Sequence, residues 1–366
     1  MSQLKVNTIR HTSASSDAIT LASDGTATAK ITNNLSNRNL IINGAMQVAQ
    51  RGTSSTTSGF QTVDRFSHGV SGADEAITTS WHDLTSSDTG PWAKGFRKSW
   101  HIQNGNQTSG AGAGDKLNIS YKIEAQDIAQ SGWDYTSASS YITLSFWVRS
   151  SVAQDFKGYL YSYDGTPKSY PYSTGSLSAN TWTKITKKIP GHADLTFDNN
   201  NDSGFFIGLH MFAGGDFTSG VTENAWMTYA SGDRTADQTS TWWTTNDATF
   251  ELTGVQLEVG DTATDFEHRS YGDELARCQR YYYRVDNGSH VYLTLIRNST
   301  EYKRITIAHP VTMRAAPTAT IDGSAPDGDA ALAVGMTDEY FVQFAQDASS
   351  NSTSGAILDW QCTAEL

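Results

Sequence analysis

The chain alternates. In YITLSFWVRS, Ile142, Leu144, Phe146 and Val148 fall on one face and Thr143, Ser145, Trp147 and Arg149 on the other, the period of two that marks a strand with a single buried face. GFFIGLHMFAGG alternates Phe205, Ile207, Leu209 and Met211 with Phe206, Gly208, His210 and Phe212, so both faces carry apolar groups and a central strand is expected. In TFELTGVQLEVG the apolar face begins at Phe250 and Leu252 and then shifts by one residue to Val255, Leu257 and Val259, which places a bulge at Gly254. Polar stretches separate these runs, notably residues 104–115 and 163–178, and they read as loops over the edge of a sandwich. Short strands at this spacing predict an all-β chain whose main domain, residues 38–269, is a jelly-roll-like β-sandwich.

Either side of that domain the pattern changes. Residues 1–37 hold only short apolar pairs such as Ile19 and Leu21, with the turn Ser23-Asp24-Gly25 between two extended stretches, too little to close a core alone. They are expected to form an extended attachment or stalk segment ordered by neighbouring copies. Residues 270–283, SYGDELARCQRYYY, predict the one convincing helix, with Ser270 and Asp273 in a capping pattern and Arg277 and Arg280 toward the C-terminal end, linking two domains. Residues 284–366 suit a second, smaller β domain, in which VYLTLIR and YKRITIAHP are expected to pair as a hairpin around residues 298–301.

Composition narrows the function. A formal charge of −12 with scattered basic residues removes the phosphate-binding term on which nucleic-acid affinity depends. No run approaches the ~18 apolar residues of a spanning helix, so membrane insertion is not expected, and the first residues lack the apolar block of a signal peptide. The two cysteines, Cys278 and Cys362, lack the spacing of a zinc or redox motif and are read as free buried thiols or as one disulfide. The nine histidines contain no HExxH, no GxSxG stands before a helix, and adjacent Asp338 and Glu339 would diverge on a strand, so no catalytic residues are nominated. No cofactor or metal is called for, although the Asn, Asp and Glu content permits an oxygen-only structural calcium.

Aromatic residues make up 11% of the chain, with 10 Trp and 16 Tyr, enough for the cores and for a binding face as well. Tyr159, Tyr161 and Tyr163 in FKGYLYSY share one face of a strand and are the first candidates for stacking on sugar rings, with Trp147 as a neighbour on an adjacent strand. Trp242 and Trp243 are adjacent and would point to opposite faces of a strand, making Trp243 a further candidate. Trp182 is read as core.

Three segments resemble phage tail-fibre and virion-fibre proteins of the marine and cyanobacterial type: NLIINGAMQVAQRGTS from Asn39, FELTGVQLEVGDTATDFEHRSYGDELARCQRYY from Phe250 and HPVTMRAAPT from His309. LKVNTI and DAITLASDGTATAKI resemble the segments by which such fibres attach to the particle. SYITLSFWVRS, NTWTKITKKIPG and FELTGVQLEVG are similar to jelly-roll carbohydrate-binding modules. The resemblance implies a homotrimeric virion fibre, assembled in the host cytoplasm, that is joined to a tail or capsid protein through residues 1–37 and touches a host-surface polysaccharide. A head fibre or decoration protein without a receptor role, and a polysaccharide depolymerase, are the alternatives.

Overall fold

The computed structural model describes residues 6–15, 17–29, 37–286, 291–294, 303–322, 330–331, 333–346, 354–357 and 359–366. The chain is all-β, and its main body is a jelly-roll-like sandwich of two six-stranded sheets. A small antiparallel meander comes first: β1 (Thr8–Ile9), β2 (Ile19–Leu21) and β3 (Ala27–Ala29). Its apolar Val6, Ile9 and Leu21 are exposed.

One sheet of the sandwich contains β4 (Ser54–Ser55), β6 (Thr78–Asp83), β7 (Lys98–Gln103), β9 (Tyr141–Ser150), β12 (Thr183–Pro190) and β15 (Thr249–Val259) in the order β12-β9-β15-β7-β6-β4. The other contains β5 (Phe66–Ser71), β8 (Lys116–Glu124), β10 (Asp155–Ser162), β11 (Lys168–Ser176), β13 (Ser203–Ala213) and β14 (Met227–Thr228) in the order β14-β11-β10-β13-β8-β5. Alternation builds the core between them: Ile142, Leu144, Phe146 and Val148 of β9 meet Phe205, Ile207, Leu209 and Met211 of β13 in one buried cluster. Strand β13 is central, as its two apolar faces predict. The register of β15 against β9 shifts between Thr253 and Gln256, and Gly254 supplies the positive φ of 64° that the bulge needs.

Three expectations are corrected. The stretch 163–178 is largely strand β11, because Tyr170 and Tyr172 turn inward onto the core and outweigh its Ser, Pro and Gly content. Trp242 and Trp243 lie in the short helix α2 (Thr241–Thr244), where the helical turn lets both rings be fully buried; α1 is Ala125–Ala129. Among the described residues the expected hairpin in the C-terminal domain is not a pair: β17 (Val291–Thr294) bonds to β23 (Ser354–Ile357), while β18 (Lys303–Ala308) bonds to β22 (Phe341–Gln346), and the expected turn at 298–301 lies outside the described residues. The remaining strands there are β16 (Tyr282–Val285), β19 (Thr318–Ile321), β20 (Ala330–Ala331), β21 (Ala333–Thr337) and β24 (Trp360–Thr363). They complete three three-stranded sheets, ordered β16-β24-β19, β17-β23-β20 and β18-β22-β21.

The helix of the linking segment is α3 (Tyr271–Gln279), with the Ser270 hydroxyl accepting from the Asp273 N–H at 3.2 Å. Both cysteines are buried and unbonded, Cys278 in α3 and Cys362 in β24. No helix among the described residues is long and apolar enough to cross a membrane.

The sandwich and the C-terminal domain are joined by a desolvated polar network. Arg65, 1% exposed and at a φ of 71°, pairs with Glu365, donates to the Lys122 carbonyl at 2.8 Å and lies 3.4 Å over the Tyr281 ring. Glu124 accepts from Arg280 at 2.9 and 3.0 Å and from the Tyr281 hydroxyl at 2.5 Å. Burial acts against the Glu124 charge, but these donors outweigh it and hold the carboxyl below its ordinary range. Arg314 completes the seam by donating to the carbonyls of Ala364 at 2.8 Å and Asn201 at 2.7 Å.

A buried charge stripped of its partner costs far more than the pair contributes. Arg65→Ala leaves Glu365 with Arg51 as its ion-pair partner among the described residues and removes the plate on which Tyr281 stacks. It is expected to destabilise the protein by roughly 3–5 kcal/mol in urea unfolding, with the first loss in the C-terminal domain. A loss below about 1 kcal/mol, the size typical of an exposed pair, would contradict this account of the junction.

Candidate functional site

The outer face of the β14-β11-β10-β13-β8-β5 sheet is a grid set by register. One row runs Ser169, Tyr161, Phe206 and Lys122; the next runs Pro171, Tyr159, Gly208, Ser120 and Ser67; a third runs Ser173, Lys157, His210, Asn118 and Gly69. The inward partners of these residues are core, so the outward ones must find other cover or meet solvent. Gly208 makes the middle row possible. A Cβ there would stand 2.5 Å from the Phe206 ring, in the space where Phe206 and Tyr159 come together.

The tyrosine row therefore divides. Tyr159 is 6% exposed, stacked on His210 at 5.7 Å and 19° and on Tyr229 at 6.3 Å and 25°, with Phe206 at 5.1 Å. It serves as the floor and cannot be a contact residue, which corrects its nomination. Tyr161 and Tyr163 are half-buried and meet edge to face at 4.6 Å, and Tyr229 joins Tyr161 at 4.3 Å. Phe206 is half-buried in the same row, and the Lys122 ammonium sits 5.6 Å from the Tyr163 ring. Burial, with the neighbouring Tyr161 and Tyr229 phenols, pushes the Tyr163 hydroxyl up to about 12, so it stays a neutral donor and acceptor near neutral pH.

Sequence alone missed Phe206 and Tyr229. Phe206 was visible as an outward position of β13, whereas Tyr229 lies 66 residues beyond Tyr163 and is brought in when its N–H bonds to the Pro167 carbonyl at 3.0 Å.

The other two candidates lie elsewhere. Trp147 is on β9 in the opposite sheet, because β9 and β10, adjacent in sequence, turn from one sheet into the other. There it walls a cleft of about 600 Å³ with Phe96, Phe266, His268 and Lys184. Trp243 is fully buried and donates its indole N–H to the Gly110 carbonyl at 2.9 Å, so it is structural. Trp182 is half-buried outside the main core, beside Phe96, and donates to Asp88 at 3.1 Å.

Under the site, His210 is 1% exposed and its Nδ1 has no hydrogen-bond partner among the described residues. Burial, reinforced by Arg234 and Lys116, lowers its pKa to about 3. An unfolded histidine titrates near ~6.5, so folding excludes a proton that the unfolded chain takes up, and stability falls as pH drops from ~6.5 toward ~3. His68, lowered by burial to about 4, acts in the same direction, while Asp64, raised by burial to about 6, acts in the opposite one. His210→Phe removes only the first contribution. The stability of His210→Phe relative to the natural chain should rise by roughly 3 kcal/mol between pH 7 and pH 4. Urea titrations at the two pH values check this, and a constant difference would contradict it.

No protein-family model matches the sequence, and no curated protein sequence does. Among solved structures, the chain is similar to the enzymatically active domain of bacteriophage CBA120 tailspike protein 4, at 10% identity and a TM-score of 0.31 over 61% of this chain and 21% of that one. It is similar to a putative sugar binding protein from Bacteroides thetaiotaomicron, at 10% identity and a TM-score of 0.30 over 61% of this chain and all of that one. A third is the CBM22-1 xylan-binding domain of Paenibacillus barcinonensis Xyn10C, at 12% identity and a TM-score of 0.27 over 59% and 99%. This chain spans about a fifth of the tailspike domain's length. What those proteins bind or cleave is theirs.

Proposed function

We propose that the chain is a non-catalytic glycan-binding fibre protein of a phage particle, and that the face of Tyr161, Tyr163, Tyr229 and Phe206 takes the sugar. The observation that carries the binding reading is a group of half-buried rings on an open sheet face, packed on a rigid floor of Tyr159 and His210. Aromatic rings present flat apolar surface to the C–H face of a pyranose, and fixed rings lose little entropy on binding. Lys122, Ser120 and Ser67 stand beside them as hydroxyl partners, and Ser67 and Ser120 already meet at 2.8 Å. The saccharides named for two of the structures of similar fold belong to the same ligand class.

The resemblance of three segments to virion fibres supports the phage reading, together with location in the virion and contact with a host-surface polysaccharide. The N-terminal meander supports self-association and attachment. Strands of two or three residues with exposed Val6, Ile9 and Leu21 are too small to hold alone and gain stability by pairing with other chains. In a homotrimer, weak contacts at each face add through avidity.

Light scattering of the purified chain, followed by binding of the same sample to host cells, tests both parts. A trimer is expected, and Tyr161→Ala, a half-exposed position, should keep the mass and lower apparent affinity by roughly tenfold or more. A monomer would overturn the fibre reading. A trimer whose cell binding is unchanged by Tyr161→Ala would overturn the site.

A further inference from the structure

The opposite sheet carries a second constellation, on a surface unconnected with the tyrosines. His82, His101 and Glu251 come from β6, β7 and β15, and each offers a ligand atom within 4.8 Å of the other two. Register brings them together. His101 stands directly opposite both Ser80 and Glu251, and His82 stands opposite Ser99. The three larger side chains thus ring the fully buried Ser99, whose size leaves the space between them open. The two imidazole rings approach to 4.5 Å between centroids.

We propose that His82, His101 and Glu251 form a binding site for one divalent first-row transition metal ion, of which zinc is the representative.

Two imidazoles and one carboxylate make the nitrogen and oxygen set that suits zinc, and three protein ligands leave a fourth position for water or an external ligand. That position is on the solvent side, since Glu251 is buried, His101 half-buried and His82 exposed. Glu251 is already oriented: it accepts from Ser99 at 3.1 Å through Oε2 and from Arg149 at 2.7 Å through Oε1. Such outer hydrogen bonds fix a ligating carboxylate before the ion arrives. Arg149 is itself paired with Asp88 at 2.8 Å. The two carboxylates against one guanidinium leave one surplus negative charge beside two imidazoles, so a bound divalent cation brings the cluster to a net charge of one positive unit. The site stands whether or not the tyrosine face binds glycans.

The full-length chain, stripped with a chelator and dialysed, is titrated with Zn²⁺ by calorimetry, and Co²⁺ is added in parallel to read its visible absorption. One tight Zn²⁺ per chain and an intense, low-coordinate Co²⁺ spectrum are expected. His82→Ala, at an exposed position, should keep the fold and weaken Zn²⁺ binding by roughly tenfold or more. His192→Ala, at a half-buried histidine outside the cluster, should leave Zn²⁺ binding unchanged. Absence of a one-to-one Zn²⁺ site, or a site that survives both His82→Ala and Glu251→Gln undiminished, would overturn the proposal.

Discussion

A guanidinium withdrawn from water sets the terms for this fold. Arg65 is desolvated almost completely and tolerates it only because Glu365, the Lys122 carbonyl and the Tyr281 ring surround it at once. Those three partners come from the last residues of the chain, from the sandwich strand β8 and from the linking segment just before β16, so one side chain fixes their mutual position. Around it, Asn43 donates its N–H to Glu274, Arg269 donates to the carbonyls of Asn39 and Ile41, and the Arg314 N–H reaches the Arg280 carbonyl. The segments beginning at Asn39, Phe250 and His309, which carry the resemblance to virion fibres, meet at this seam. Each of them places a charge or amide against a polar partner in the seam.

Strand β8 ties the seam to the candidate binding face. The Lys122 carbonyl receives Arg65, while its side chain extends toward Tyr163. The aromatic face is therefore built on a strand whose end is pinned by a buried guanidinium, which suits a surface whose rings must stay in place. The opposite sheet holds the Trp147 cleft and the histidine cluster, so the sandwich carries different chemistry on its two outer faces.

Much of the sandwich was legible because alternation is a local signal. The core face of β9, the central position of β13, the bulge at Gly254 and the Ser270 cap each follow from a few consecutive residues. What was illegible depended on pairing over long distances. The partners of β17 and β18 lie in β23 and β22, and nothing in VYLTLIR or YKRITIAHP selects them over each other. Tyr159 and Tyr161 sit at equivalent positions in the pattern, yet His210 and the loop carrying Tyr229 bury one and leave the other half-open. Trp147 could not be assigned a sheet from its own strand. His82, His101 and Glu251 come from three strands with no common motif, and only the register makes them neighbours.

Hydroxyl-radical footprinting of the full chain, with and without host-surface polysaccharide, reads ring accessibility on both sheets in one experiment. The account predicts that Tyr161, Tyr163 and Tyr229 oxidise more slowly when the polysaccharide is present, while Trp147 keeps its rate. Unchanged tyrosines, or protection of Trp147 in their place, would contradict it.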